Sequence, residues 1–374
     1  MLQIPNWLPI LGFVLLVACS PLYPSLTQLP PKTELPQTAT SSPSPTPLGS
    51  AGMLLGAAGA NIPPANGRIA FLSGEDKEVH LSILNVAQGD TFILENPPSA
   101  IVSPRWSPDG KYIAFTGLTQ NNTDIYVLDV SAQTLLRVTD HPAKDSTPFW
   151  SPDGRFLAFE SFRKGNWDIY LYQLETQETI SLTEDPAGDT APVWSPDGDW
   201  IAFTSNRTGN AGLYLIRPDG TELRQLAADI SVPITDPIWS PDGSTLAFRL
   251  WENNAVVQIC TFLLAGEETR CLTQSDRKNG IPAWSPDGKT LAFRFEKGEK
   301  NGLAFLDVDK GKTQVFNIPK QIIGDPMWSP DGWRLVFQVN DGQNSDLWML
   351  LPTTGETLPL TSSPGYEGQP AWGP

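Results

Sequence analysis

The sequence predicts an all-β protein, a seven-bladed β-propeller of four-stranded blades. Three observations point to it. A motif tryptophan recurs every 44 or 45 residues without interruption, four extended segments fill each period, and the fragments at the two ends of the array complete one another. A period of this length holding four short strands corresponds to one propeller blade.

The tryptophans are Trp106, Trp150, Trp194, Trp239, Trp284, Trp328 and Trp372, each with a proline two positions before it, from Pro104 to Pro370. The first six open the pentapeptide Trp-Ser-Pro-Asp-Gly, and the last reads Trp-Gly-Pro. The Pro-x-Trp segment is the first strand of a period. In Ser-Pro-Asp-Gly the proline presets φ for the first corner of a type I turn, aspartate suits the second, and glycine accepts the positive φ that follows. The pentapeptide is therefore a hairpin device rather than a catalytic motif. The tryptophan before it offers a large apolar face for packing between neighbouring blades.

After the turn comes a strand ending in phenylalanine, such as "YIAF" (Tyr112 to Phe115). An alternating strand follows, such as "DIYVLDV" (Asp124 to Val130), and then a short one ending near threonine, such as "LLRVT" (Leu135 to Thr139). The earliest set, from Arg68, lacks a Pro-x-Trp strand of its own, while the strand ending in Trp372 lacks a successor. Pairing this C-terminal strand with the N-terminal blade would close the ring and remove the exposed edges of an open array. Truncation before Pro370 is then expected to open it.

The pattern Pro-x-Trp-Ser-Pro-Asp-Gly, then Leu/Ile-Ala-Phe, then "SFRKGNWDIYL" (Ser161 to Leu171) or "SNRTGNAGLYL" (Ser205 to Leu215), then Leu-Thr, resembles the TolB-type WD-like β-propeller repeat over about residues 66 to 374. The resemblance implies a propeller and, as in TolB, an envelope protein that binds flexible peptide segments. TolB has six blades and an extra N-terminal domain, whereas this chain counts seven and begins differently. The same repeats precede the hydrolase domain of prolyl-oligopeptidase-like enzymes. Here no Gly-x-Ser-x-Gly elbow occurs, and no residues remain after the last repeat to build such a domain.

Ahead of the array, Trp7 to Cys19 is an apolar run of 13 residues, shorter than a spanning helix needs. Its end, Leu16-Val17-Ala18-Cys19, resembles a bacterial lipobox, which implies a signal peptide over 1–18 and lipidation of Cys19. The Pro-, Ser- and Thr-rich stretch that follows cannot bury apolar surface and reads as a tether. The expected organisation is signal peptide 1–18, lipidated N-terminus and tether 19–66, and TolB-like propeller 67–374. Such a protein is exported and faces the periplasm or cell surface, touching the membrane only through its lipid anchor.

The formal net charge of −16 argues against nucleic acid as a partner. Two histidines, His80 and His141, are too few for most zinc or non-haem iron sites and read as structural or solvent-exposed. Five positions before the motif tryptophan stand Ile101, Asp145, Asp189, Ile234, Asn279, Ile323 and Glu367, and three before it stand Asp236 and Asp325. Carboxylates there suit a structural role as acceptors of loop N–H bonds. The functional reading is that Asp145, Asp189, Asp236, Asp325 and Glu367 face the channel and bind a basic segment of a partner or a cation such as Ca²⁺. Arg163 and Arg207 from neighbouring loops would set specificity.

Cys260 and Cys271, eleven residues apart in consecutive strands, are expected to form a disulfide in an exported protein. The expected function is thus a monomeric, non-catalytic, envelope-anchored propeller that binds a protein or peptide partner through the loops around its channel. The alternative is a channel-sited small-molecule hydrolase or lyase, with calcium as its cofactor; the missing His and Ser arrangements count against it.

Overall fold

The computed structural model describes residues 67–374 apart from 76–77, 95–96, 120, 254–255, 274–275, 299 and 319. The proposed signal peptide, Cys19 and the tether lie outside the described residues. Among the described residues the fold is all β, without a helix, so none is long and apolar enough to cross a membrane.

Each period folds into four antiparallel strands paired in chain order. In the Trp150 set, Asp145–Trp150 pairs with Phe156–Ser161, that strand with Asp168–Gln173, and the latter with Glu178–Ser181. The middle strands, "FLAFES" and "DIYLYQ", are almost wholly buried because neighbouring sets pack on both of their faces. The outer strand alternates exposed and half-buried residues. The Trp106, Trp194 and Trp239 sets repeat this order. In the Trp284 and Trp328 sets the first strand is split, as Lys278–Asn279 with Ala283–Trp284 and Gln321–Ile322 with Met327–Trp328. At the chain ends, Tyr366–Trp372 pairs with Arg68–Glu75, Ile69 standing opposite Trp372 and Ser73 opposite Glu367. Among the described residues no sheet closes on itself.

The motif tryptophans tie one set to the next. Trp150 Nε1 donates to Arg105 O at 3.1 Å, Trp239 Nε1 to Val193 O at 3.2 Å and Trp328 Nε1 to Ala283 O at 3.1 Å. In each case the acceptor immediately precedes the motif tryptophan of the preceding set. Trp106 makes the same bond to Ala371 O at 3.0 Å, so the first tryptophan treats the last set as its predecessor.

The turns repeat the pattern. A Cβ on Gly154 would lie 3.8 Å from Pro108, and one on Gly110 would lie 3.1 Å from Pro374. The terminal Trp-Gly-Pro therefore keeps the one turn residue that the next set contacts. The first strands of successive sets touch in order, and Tyr366–Trp372 touches Ala100–Trp106.

Within each turn the polar groups satisfy one another. Gly110 has φ 67° and its N–H donates to Ser107 O. Ser107 Oγ donates to Asp109 Oδ1 and accepts from Tyr112 N. These serines and aspartates hold the hairpin, and the repetition that first draws the eye builds shape.

Candidate functional site

A kink interrupts five of the first strands. Ser103, Thr147, Ala191, Asp236 and Gln369, each three before a motif tryptophan, have φ between 49° and 57°. This left-handed backbone is unusual outside glycine. The pairing with the second strand slips at the same place, between Ser146 and Phe149 in the Trp150 set. The bulge gives the residues five and three before the tryptophan different environments.

Asp145 and Asp189, five before it, are fully buried at 0 % exposure. Arg163 Nη2 donates to Asp145 Oδ2 at 2.9 Å, and Arg207 Nη2 donates to both oxygens of Asp189 at 2.9 Å. Each guanidinium also lies over aromatic rings of its own set, Arg163 4.9 Å from Tyr170 and Arg207 4.9 Å from Tyr214. These pairs clamp the loop after the second strand to the start of the first, and neither carboxylate reaches solvent. Glu367 holds the same place at 4 % exposure, and its burial pushes the carboxyl pKa up.

Next to this layer stands Asp168, which sequence reasoning did not single out. It is buried and neither oxygen makes a well-formed hydrogen bond among the described residues. Burial, reinforced by the charge of Asp189, pushes its pKa to about 6, with Lys164 and Asn166 offsetting only part.

Asp236 and Asp325, three before the tryptophan, keep 25 % and 32 % of their side chains exposed. Arg249 grips Asp236 Oδ2 through Nε at 2.8 Å and Nη2 at 2.5 Å. Asp325 Oδ1 accepts from Arg294 Nε at 3.1 Å and from Ile281 N at 3.0 Å. Burial pushes the Asp325 carboxyl up, and Arg294 and Arg249 pull it back.

Arg249 and Arg294 directly follow the second-strand phenylalanine, where the other sets carry Leu72, Thr116, Glu160, Thr204 and Gln338. Two of them reach the kink of the next set: Thr147 N donates to Thr116 Oγ1 at 3.0 Å and Ala191 N to Glu160 Oε1 at 2.7 Å. Burial raises the pKa of Glu160, with Asp236 adding to the effect. The arrangement is a belt of acids and arginines fixed by hydrogen bonds on strands, with Asp236, Arg294 and Asp325 partly exposed and Arg249 buried. It is suited to receiving a charged segment.

The family described as TolB beta propeller domain matches residues 63–321. The chain belongs to this family. Among solved structures, TolB from Acinetobacter baumannii is 20 % identical, with a TM-score of 0.53 over 85 % of this chain and 89 % of that one. A prolyl endopeptidase is 16 % identical with a TM-score of 0.64, covering 79 % of this chain and 48 % of its own. An oligogalacturonate lyase in complex with manganese is 16 % identical with a TM-score of 0.59, over 79 % and 85 %. At these identities the likeness is one of fold. No curated protein matches the sequence.

In this TolB-type propeller domain no three His, Cys, Asp or Glu side chains converge as a metal-ligand set among the described residues. His141 Nδ1 accepts from Ala143 N at 3.0 Å, and burial lowers its pKa. His80 lies in the strand Glu78–Asn85, opposite Ser73. Cys260 and Cys271 stand opposite one another on adjacent strands and are disulfide-bonded, with an S–S distance of 2.02 Å.

Proposed function

We propose that this TolB-type propeller is a non-catalytic binding module, exported and anchored to the envelope through Cys19. Its belt at Asp236, Arg249, Arg294 and Asp325 receives a charged, extended segment of a protein partner. The belt carries the reading: both signs of charge are fixed before any partner arrives, so binding loses little side-chain freedom and selects a complementary pattern. Asp145 with Arg163, Asp189 with Arg207, and Glu367 hold the rim from beneath.

The architecture in this reading is a closed ring of seven blades. The pairing of Tyr366–Trp372 with Arg68–Glu75 and the Trp106 bond to Ala371 support it. The test is in-cell crosslinking of the full-length protein with mass spectrometry, comparing wild type with the charge swap Asp236→Arg/Arg249→Asp, which keeps the ion pair but reverses its direction. Loss of a reproducible envelope partner with unchanged melting supports the reading, and failure to capture any reproducible partner overturns it. The alternative, a calcium-dependent hydrolase or lyase in the channel, requires calorimetric Ca²⁺ binding that Asp325→Asn abolishes.

A further inference from the structure

The residue just before each motif tryptophan is apolar in every set except one. Phe149, Val193, Ile238, Ala283, Met327 and Ala371 hold the place, and in the Trp106 set it is Arg105. The first strands touch in succession, so these residues stand at one level of neighbouring first strands, two positions beyond the belt.

Arg105 is half-buried there, with its guanidinium 5.9 Å from the ring of Phe149. Met327 packs against the core cluster that contains Trp106, bringing another apolar side chain of this level close to the Trp106 set. Arg137, Arg163, Arg207, Arg249, Arg294 and Arg334 are each paired with a carboxylate. The side chain of Arg105 has neither an ion pair nor a hydrogen bond among the described residues. Burial lowers its pKa, and no acid counters that effect.

A guanidinium among apolar walls without a counter-charge is costly, and an unpaired group of this kind calls for an explanation. We propose that Arg105 is an anion site inside the channel that takes a carboxylate borne on a short apolar chain. The planar fork of the guanidinium matches the two carboxylate oxygens, while the partly exposed Phe149, Ile238, Ala283 and Met327 of the same level receive the chain. The carboxylate belongs either to a free organic acid or to the C-terminus of a peptide. The site is separate from the belt and stands whatever the belt binds.

Calorimetry on the full-length protein tests it with hexanoate against hexanamide, and with the peptide Ala-Ala-Leu carrying a free or an amidated C-terminus. Hexanoate is expected to bind about 10-fold or more tightly than hexanamide. Arg105→Met is expected to lose that preference, and the swap Asp236→Arg/Arg249→Asp to retain it, so failure here is distinct from failure of the belt. Tighter binding of the free peptide than of hexanoate assigns the site to a partner's C-terminus, and the reverse assigns it to a small acid. Equal binding of hexanoate and hexanamide overturns the proposal, as does unchanged hexanoate binding in Arg105→Met. The acid-to-amide contrast in wild type decides the matter even where the variant fails to fold.

Discussion

Trp150 and Trp194 form a matched pair that isolates one hydrogen bond. They are 5 % and 6 % exposed, and each packs on an aromatic ring of the preceding set, Tyr112 at 6.3 Å and Phe156 at 6.2 Å. Trp150 Nε1 donates to Arg105 O at 3.1 Å, whereas Trp194 Nε1 is buried without a partner among the described residues. Replacing either by phenylalanine removes a similar apolar area, so the packing loss largely cancels between the two variants.

What remains is the bond. Trp150→Phe leaves the Arg105 carbonyl without its donor, while Trp194→Phe removes a donor that was already unsatisfied, a difference of about 1–2 kcal/mol. For a domain of about 300 residues, unfolding entropy converts each kcal/mol into roughly 1.5 °C of melting temperature. Trp150→Phe is therefore expected to melt about 2–3 °C below Trp194→Phe in scanning calorimetry. Equal melting temperatures, or a larger drop in Trp194→Phe, would refute the view that the indole bonds link one set to the next.

The buried ion pairs give a second expectation. Arg163→Met strands the fully buried Asp145 and should cost about 3–5 kcal/mol, and adding Asp145→Asn should recover much of it; a double variant no more stable than the single one contradicts the clamp. Asp168 gives a pH signature: its folded pKa, about 6, lies above the ordinary aspartate value of 3.8, so the native state holds the proton more tightly and stability falls as pH rises from about 4 to about 6. Asp168→Asn should raise the melting temperature at pH 7.5 and leave it nearly unchanged at pH 4, and a benefit equal at both pH values rules out the buried carboxylate as the cause. Ending the chain at Gln369 removes the Ala371 acceptor, Trp372 and Pro374, so amides of Arg68–Glu75 and Ala100–Trp106 should lose hydrogen-exchange protection first; retained protection there argues against the end-to-end seam. Reducing the Cys260 to Cys271 bond frees a short loop and should cost about 2–3 kcal/mol, read as a lower melting temperature with reductant in wild type and no change in Cys260→Ser/Cys271→Ser.

The sets and their pairing are legible in the sequence because each copy must meet the next in the same way. Pro-x-Trp, the turn glycine and the buried Ala-Phe all sit where neighbouring sets touch, so a change in one copy would spoil a contact that its neighbour depends on. The candidate site is less legible for the same physical reason. The sequence places Asp145 and Asp236 on one rim, but the left-handed residue before the proline gives them different environments, burying Asp145 and leaving Asp236 partly in solvent. No local motif marks that conformation, since Ser103, Thr147, Ala191, Asp236 and Gln369 share it without sharing chemistry.

Arg249 and Arg294 escape notice because their column also holds Leu72, Thr116, Glu160, Thr204 and Gln338, and a search for repetition passes over a column that varies. Yet variation is where one copy differs from the next and where an array of similar parts acquires a direction. Arg105 is the sharpest instance: a single cation in a column of apolar residues, visible in the sequence once the copies are aligned on their tryptophans and read for difference. In such an array the repeated columns build the shared fold, and a ligand that distinguishes one set from another has to be recognised by the columns that do not repeat.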